Sequence, residues 1–208
     1  MKDLILVGGG GHCRSVIEAA ESAGRKIRGI LDLPQYVGTD VAGYPVIGTD
    51  NDISEYAEDC EFIVTVGAIE NAEPRERLHN RIKEAGGVLA TVVASTAFVS
   101  PRAELGEGTV VLHQALVNSC AKVGKSVIIN SGAIIEHDAE VGDLTHVSTG
   151  AKVNGGCRVG AWCFIGSGAV IVQGVSAGDD VFVGAGSLLA RDAAAPGVYV
   201  GYPARKVK

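Results

Sequence analysis

His137 is the residue of this chain best equipped for chemistry. It stands in the stretch IINSGAIIEHD, between Glu136 and Asp138. An imidazole beside a carboxylate has a fixed tautomer and a tuned pKa, which is what a general base needs. A second imidazole, His146, follows half a repeat coil later and is expected to project from a different side of the fold. His113 shares the phase of His137 but has no acidic neighbour, so it is given a surface role. His79 falls in an amphipathic helical stretch and is expected to be solvated. His12 follows a run of glycines, where it could meet a phosphate.

That run, Gly8-Gly9-Gly10-Gly11, is the second chemical feature. It follows the apolar strand pattern Leu4-Ile5-Leu6-Val7 and opens a helical pattern that runs to Ala23. Free backbone N–H groups at a helix N-terminus favour a phosphate or pyrophosphate. Gly8 and Gly10 match two glycines of the dinucleotide fingerprint, but the third position is Cys13, which speaks against NAD. Asp32 closes the second strand, where an acidic side chain can accept hydrogen bonds from a nucleotide. The five cysteines form no CxxC pair, and with the histidines they show no metal-ligand spacing. Reduced thiols are expected, with Cys157 and Cys163 as wall packing and no metal.

A repeat must position these groups. From Val99 to Leu189 every sixth residue is Val, Ile or Leu, save Ala177. From Ala103 to Ser187 every sixth residue is small or β-branched. An α-helix cannot keep a period of six in phase, and plain strand alternation would not single out every sixth residue. A triangular prism does both: one hexad forms one side, and the aliphatic fills the interior. The expected fold is therefore an all-β left-handed parallel β-helix of about five coils over residues 91–208. Gly or Asn often follows the aliphatic, as at Gly106, Asn130 and Gly160, which suggests a left-handed backbone there.

Residues 1–90 alternate strand and helix. Strands are expected at 4–7, 27–31, 44–47 and 61–66, with a helix over 75–85 ended by Gly86-Gly87. Such alternation gives an α/β domain with a small Rossmann-like parallel sheet. The net charge of −6 and the lack of a Lys/Arg cluster exclude a nucleic-acid footprint. Leu4 to Val7 is too short for a signal core, and no stretch is long enough to span a membrane, so a cytoplasmic protein is expected.

The hexads, the glycine loop, IINSGAIIEHD and the closing VGYPARKV together resemble the nucleotide-amino-sugar N-acetyltransferases of the hexapeptide-repeat class. The likeness is strongest to the UDP-4-amino-sugar enzymes of bacillosamine synthesis, and it extends to GDP-perosamine N-acetyltransferases and sialic-acid O-acetyltransferases. The resemblance implies acetyl-CoA as co-substrate, no metal, and a homotrimer with each active site between two subunits. It implies His137 as base and Asp138 as its tuning carboxylate. Asn130 would help hold the sugar, His146 would lie near the thioester, and the Gly155 N–H would bind the thioester oxygen. Gly8, Gly10, Gly11 and Asp32 would hold the substrate's nucleotide. One departure stands out: the family's G-[DN]-N-x-x-R is replaced by Gly67-Ala68-Ile69-Glu70-Asn71, with an arginine only at Arg75. The alternatives are O-acetylation of a sialic-type sugar, a GDP- or dTDP-linked amino sugar, and a non-catalytic scaffold.

Overall fold

The structure, a computed structural model, describes residues 2–69 and 71–208. The N-terminal part is a six-stranded sheet of β1 (Asp3–Val7), β2 (Ile27–Leu31), β3 (Asp40–Val41), β4 (Tyr44–Gly48), β5 (Cys60–Val64) and β6 (Val88–Leu89), in the order β3-β4-β2-β1-β5-β6. All pairs are parallel except β3 with β4. That hairpin was absent from the sequence-based expectation; it turns on Ala42 and Gly43, both with positive φ, the geometry of a tight two-residue turn. The helices are α1 (Gly11–Ser22), α2 (Ile53–Tyr56) and α3 (Glu73–Glu84). β1 lies between β2 and β5, so the connections part on either side of it. The carboxyl ends of these three strands then mark the switch point at which open α/β sheets bind ligands.

From Val92 onward the chain winds through two-residue strands into three parallel sheets of eight, six and five strands, the largest including a terminal hairpin of Gly197–Gly201 and Ala204–Lys206. Partners on each side are 18 residues apart, as Ile128 with His146 and Ile134 with Lys152. The left-handed β-helix is therefore the fold. Its interior is the expected aliphatic column, Val111 through Leu189, with the small residues Ala115, Ala133, Ala151 and Cys157 completing it. Burying each such Val, Ile or Leu is worth about 1.5–3 kcal/mol.

The corners correct one expectation. The residue after the aliphatic is not left-handed; positive φ falls two places later, at every sixth residue from Gly108 to Gly186. Glycine follows the aliphatic for a different reason: coils stack so closely that a Cβ on Gly142 would stand 2.5 Å from the backbone of Gly160.

The outward residues make the three sides unlike. One side, at Val92, Val110, Ile128 and His146, is covered: Val92, Val110 and Leu112 share one apolar cluster with Leu4, Val16 and Ile17. A second side presents Phe98, Leu116, Ile134, Lys152, Val170 and Leu188. The third presents Glu104, Lys122, Glu140 and Arg158.

Candidate functional site

His137 occupies the corner between the apolar and charged sides. Its Nδ1 lies 2.9 Å from Oδ2 of Asp138, which fixes Nδ1 as the donor and leaves Nε2 with its lone pair. Asp138 has φ 58°, the left-handed value of every coil at this phase. Its N–H donates to the carbonyl of Ser119, one coil below. Glu136 fixes the same corner by accepting from Nδ2 of Asn118 at 2.7 Å. Sequence reasoning missed Asn118, although it stands one 18-residue coil before Glu136. Gly155, one coil above His137, is buried, and among the described residues its N–H donates to no acceptor. Both ring partners of this corner are exposed, so a proton can leave it freely.

The glycine loop lies on the covered side, where His12, the second residue of α1, stands beside His146. Gly8 has φ 109°, and a side chain there would strike Val66. Gly9 donates to Asp32 Oδ2 at 3.0 Å, and a Cβ on Gly9 would stand 2.5 Å from that oxygen. Asp32 Oδ1 accepts from Leu33 N–H. Gly10 and Gly11 differ: neither has positive φ, and a Cβ on either would meet nothing within 4 Å. Within the chain nothing requires glycine at these two positions, and the space before the N–H groups of α1 is open.

His146 is the centre of this second group. It is 6% exposed, far from a surface contact. Its Nδ1 must donate to the carbonyl of Ala68, 2.8 Å away, because that oxygen only accepts. Its Nε2 therefore accepts from Nδ2 of Asn130 at 3.1 Å, while Asn130 Oδ1 accepts from Ser131 N–H. Both ring nitrogens are thus engaged within the chain. Burial, only partly opposed by the Ala68 bond, pushes its pKa down to about 4. His12 lies beside it, ring centroids 6.5 Å apart, with Nε2 enclosed and unpartnered, and burial pushes its pKa to about 3. Phe164 meets His146 edge-on at 5.2 Å and stacks on Phe182 at 4.8 Å. Beyond these rings opens a cavity of about 380 Å³, bounded by Ala68, Asn71, Leu144, Trp162, Phe164 and Phe182.

The expected residues therefore fall into two groups in one protomer. His137, Asp138 and Gly155 share one corner. Gly8 to Gly11, Asp32, Asn130 and His146 gather round the covered side. The apolar side separates them: six residues of chain, roughly 20 Å extended, run from Asn130 to Glu136. Other expectations are corrected locally. His79 is half-buried, not solvated, and bonds Ser126 Oγ at 2.7 Å. Glu70, at the departure from the family motif, lies outside the described residues. Arg75 is 0% exposed: it shares the helix face of Leu78 and Ile82, three and seven residues on, although an arginine at such a position reads as solvated. Cys163 Sγ points at the carbonyl of Gly178, as Thr145 Oγ1 does at Gly160 one coil below, and burial pushes its thiol up to about 11. No described helix is long and apolar enough to cross a membrane.

The family model described as the PglD N-terminal domain matches residues 3–82. Over the whole chain the structure is similar to PerB of Caulobacter crescentus, solved with CoA and GDP-perosamine, at 30% identity and TM-score 0.92, covering 100% of this chain and 98% of that one. It is similar to the acetyltransferase domain of PglB from Neisseria gonorrhoeae at 30% identity and TM-score 0.92, covering 100% of both chains. That domain has also been solved with acetyl coenzyme A. WeeI of Acinetobacter baumannii shares the fold, at 24% identity and TM-score 0.88 with full coverage of both chains. No curated protein matches.

Proposed function

The chain belongs to the PglD-like sugar N-acetyltransferases of the hexapeptide-repeat class, and on that footing we propose that it moves the acetyl group of acetyl-CoA to the amine of a nucleotide-linked 4-amino-4,6-dideoxy sugar, a UDP sugar for preference. The relatives' ligands support the substrate class, since PerB was solved with CoA and GDP-perosamine. The observation that carries the mechanism is the corner of His137: Nδ1 tied to Asp138, Nε2 unengaged, and the unpartnered N–H of Gly155 one coil above.

The sugar amine attacks the thioester carbon directly. His137 Nε2 takes the proton as the C–N bond forms. The carbonyl oxygen becomes an oxyanion, and the Gly155 N–H donates to it. The C–S bond then breaks, and CoA leaves as thiolate to be protonated. Asp138 keeps the Nδ1–H tautomer and stabilises the imidazolium. Residues 1–90 form the nucleotide-sugar unit, with Gly8, Gly10, Gly11 and Asp32 round the nucleotide and Asn130 at the sugar. Residues 91–208 form the acyltransferase unit. His146 borders the acetyl-CoA side as a neutral ring, since its nitrogens are taken.

Two half-sites on opposite edges of one side require a second subunit to meet. A homotrimer supplies it, each cleft joining one protomer's His137 to its neighbour's glycine loop. The test is thiol release from acetyl-CoA against UDP-, GDP- and dTDP-linked 4-amino sugars and free sialic acid. Turnover fastest with a UDP amino sugar is expected. Turnover with sialic acid alone, or with none of these, overturns the proposal.

A further inference from the structure

Among the described residues, Arg75 carries a charge with no carboxylate beside it. It sits in the first turn of α3 and is 0% exposed. Its guanidinium donates only to backbone carbonyls: Nη1 to Val64 at 2.6 Å and Val66 at 3.0 Å, Nε to Ser126 at 2.9 Å, and Nη2 to Gly108 at 3.3 Å. Val64 ends β5, and Val66 begins the segment that carries Ala68. Gly108 and Ser126 are the same corner of two successive coils. A single side chain therefore ties the exit of β5 to the β-helix.

A buried charge without a counter-ion is costly, and an apolar residue would seat α3 more cheaply. What the guanidinium alone can do is hold four carbonyls at once in a fixed fork. Two of those carbonyls set where the next residues of the segment go, and the Ala68 carbonyl is what receives the Nδ1–H of His146. His146 in turn presents Nε2 to Nδ2 of Asn130.

We propose that Arg75 is a positioning residue for the acceptor sugar, acting through the 64–68 segment, Ala68 and His146 to fix the orientation of the Asn130 amide. This rests on the assignment of Asn130 to the sugar. The chain of contacts runs from the Rossmann-like sheet to the edge of the apolar side, and each hydrogen bond in it has one direction: guanidinium to carbonyl, His146 Nδ1–H to the Ala68 carbonyl, and Asn130 Nδ2–H to His146 Nε2. Among the described residues, His12 and Arg75 are the titratable or charged groups that bear on His146, and neither is a carboxylate that would favour its imidazolium. After burial, the guanidinium's charge adds to what keeps the imidazole neutral.

The test has two arms. In the wild-type protein, nitrogen-15 NMR of the histidine rings should report His146 as a neutral Nδ1–H tautomer from pH 7 down to pH 5. A ring that is Nε2–H, or that titrates near the ordinary value, overturns the proposal, and this arm needs no substrate. In the second arm, Arg75→Gln and Arg75→Lys are compared with wild type. Arg75→Gln should raise KM for the nucleotide amino sugar at least 10-fold and KM for acetyl-CoA, whose side His146 borders, by clearly less, and His146 should lose its single tautomer. Arg75→Lys, with fewer donors, should fall between. Equal rises in both KM values with His146 unchanged overturn it. If no nucleotide sugar is a substrate, the sugar assignment falls while the NMR arm still decides whether Arg75 sets His146.

Discussion

The Cε1–Nε2 edge of the His137 ring lies against Gly155: a Cβ at position 155 would stand 2.7 Å from both atoms. The two residues are one coil apart, so the 18-residue pitch alone sets an imidazole beside a backbone N–H that has no partner among the described residues. No loop closure or metal is needed to assemble the pair. The scaffold's regularity does here what a designed turn does in other folds, and the left-handed corner lets Asp138 reach back to the same ring.

His137→Ala should therefore leave the fold intact and lower kcat by about 10²–10⁴-fold, the usual worth of a positioned base. The side chain is 54% exposed, so its loss opens no cavity. Asp138→Asn should cost less, because it removes the charge but keeps the backbone. The rising limb of the pH–rate profile should vanish in the alanine variant when both enzymes are assayed with the same sugar. Near-normal turnover would move the base elsewhere.

Gly10→Val should weaken nucleotide-sugar binding by at least 10-fold and leave acetyl-CoA binding within 2-fold. The valine has room in the free protein, since a Cβ there meets nothing within 4 Å, so thermal stability should fall little. What it fills is the space before the α1 N–H groups where a diphosphate would sit. Calorimetry with each ligand separates the outcomes, and equal losses for both contradict the assignment.

Acid should destabilise the protein through His146. Its folded pKa, about 4, lies below the ordinary 6.5, so the unfolded chain binds more protons in between. Stability is then full above about pH 6.5 and falls as pH drops towards 4, by up to about 1.4 kcal/mol per pH unit. His146→Gln should lower stability at pH 7 and remove its own share of this slope, leaving the share of His12, whose pKa of about 3 spans the same window. Urea unfolding at several pH values measures it, and an unchanged slope excludes His146 as the source.

The β-helix was legible in the sequence because each inward position repeats a demand for an aliphatic of one size. The corner of His137 was legible because its partners are its chain neighbours. The left-handed phase was misplaced: a glycine that avoids a clash with the next coil looks, in sequence, like one that permits positive φ. Gly142 and Gly132 are both glycine, for these two different reasons. Arg75 and the Ala68–His146 bond were illegible for a plainer cause. They join residues 51 and 78 positions apart, and half of each contact is a backbone carbonyl that carries no sequence signal.

The apolar side supplies the last prediction. Phe98 is 55% exposed there, and Leu116, Ile134, Val170 and Leu188 are only half-buried in one protomer. The charged side has no such row, so the two free sides cannot serve the same purpose. A flat column of this kind, repeated at the pitch of the coils, fits a second copy better than it fits water. It also lies between the two half-sites, so packing it against a neighbour brings His137 of one protomer towards the glycine loop of the next. Ile134→Glu places a carboxylate in that row, beside Lys152 of the next coil, where association would have to bury the two charges among apolar side chains. Because Ile134 points outward while Ile135 fills the interior, the coil itself should stay folded. Wild type should sediment near three times 21.3 kDa at micromolar concentration. Ile134→Glu should sediment as a monomer and lose at least 100-fold in turnover with its circular dichroism unchanged. A monomer that keeps wild-type activity would show that one protomer completes the site alone, and the division into half-sites would be wrong.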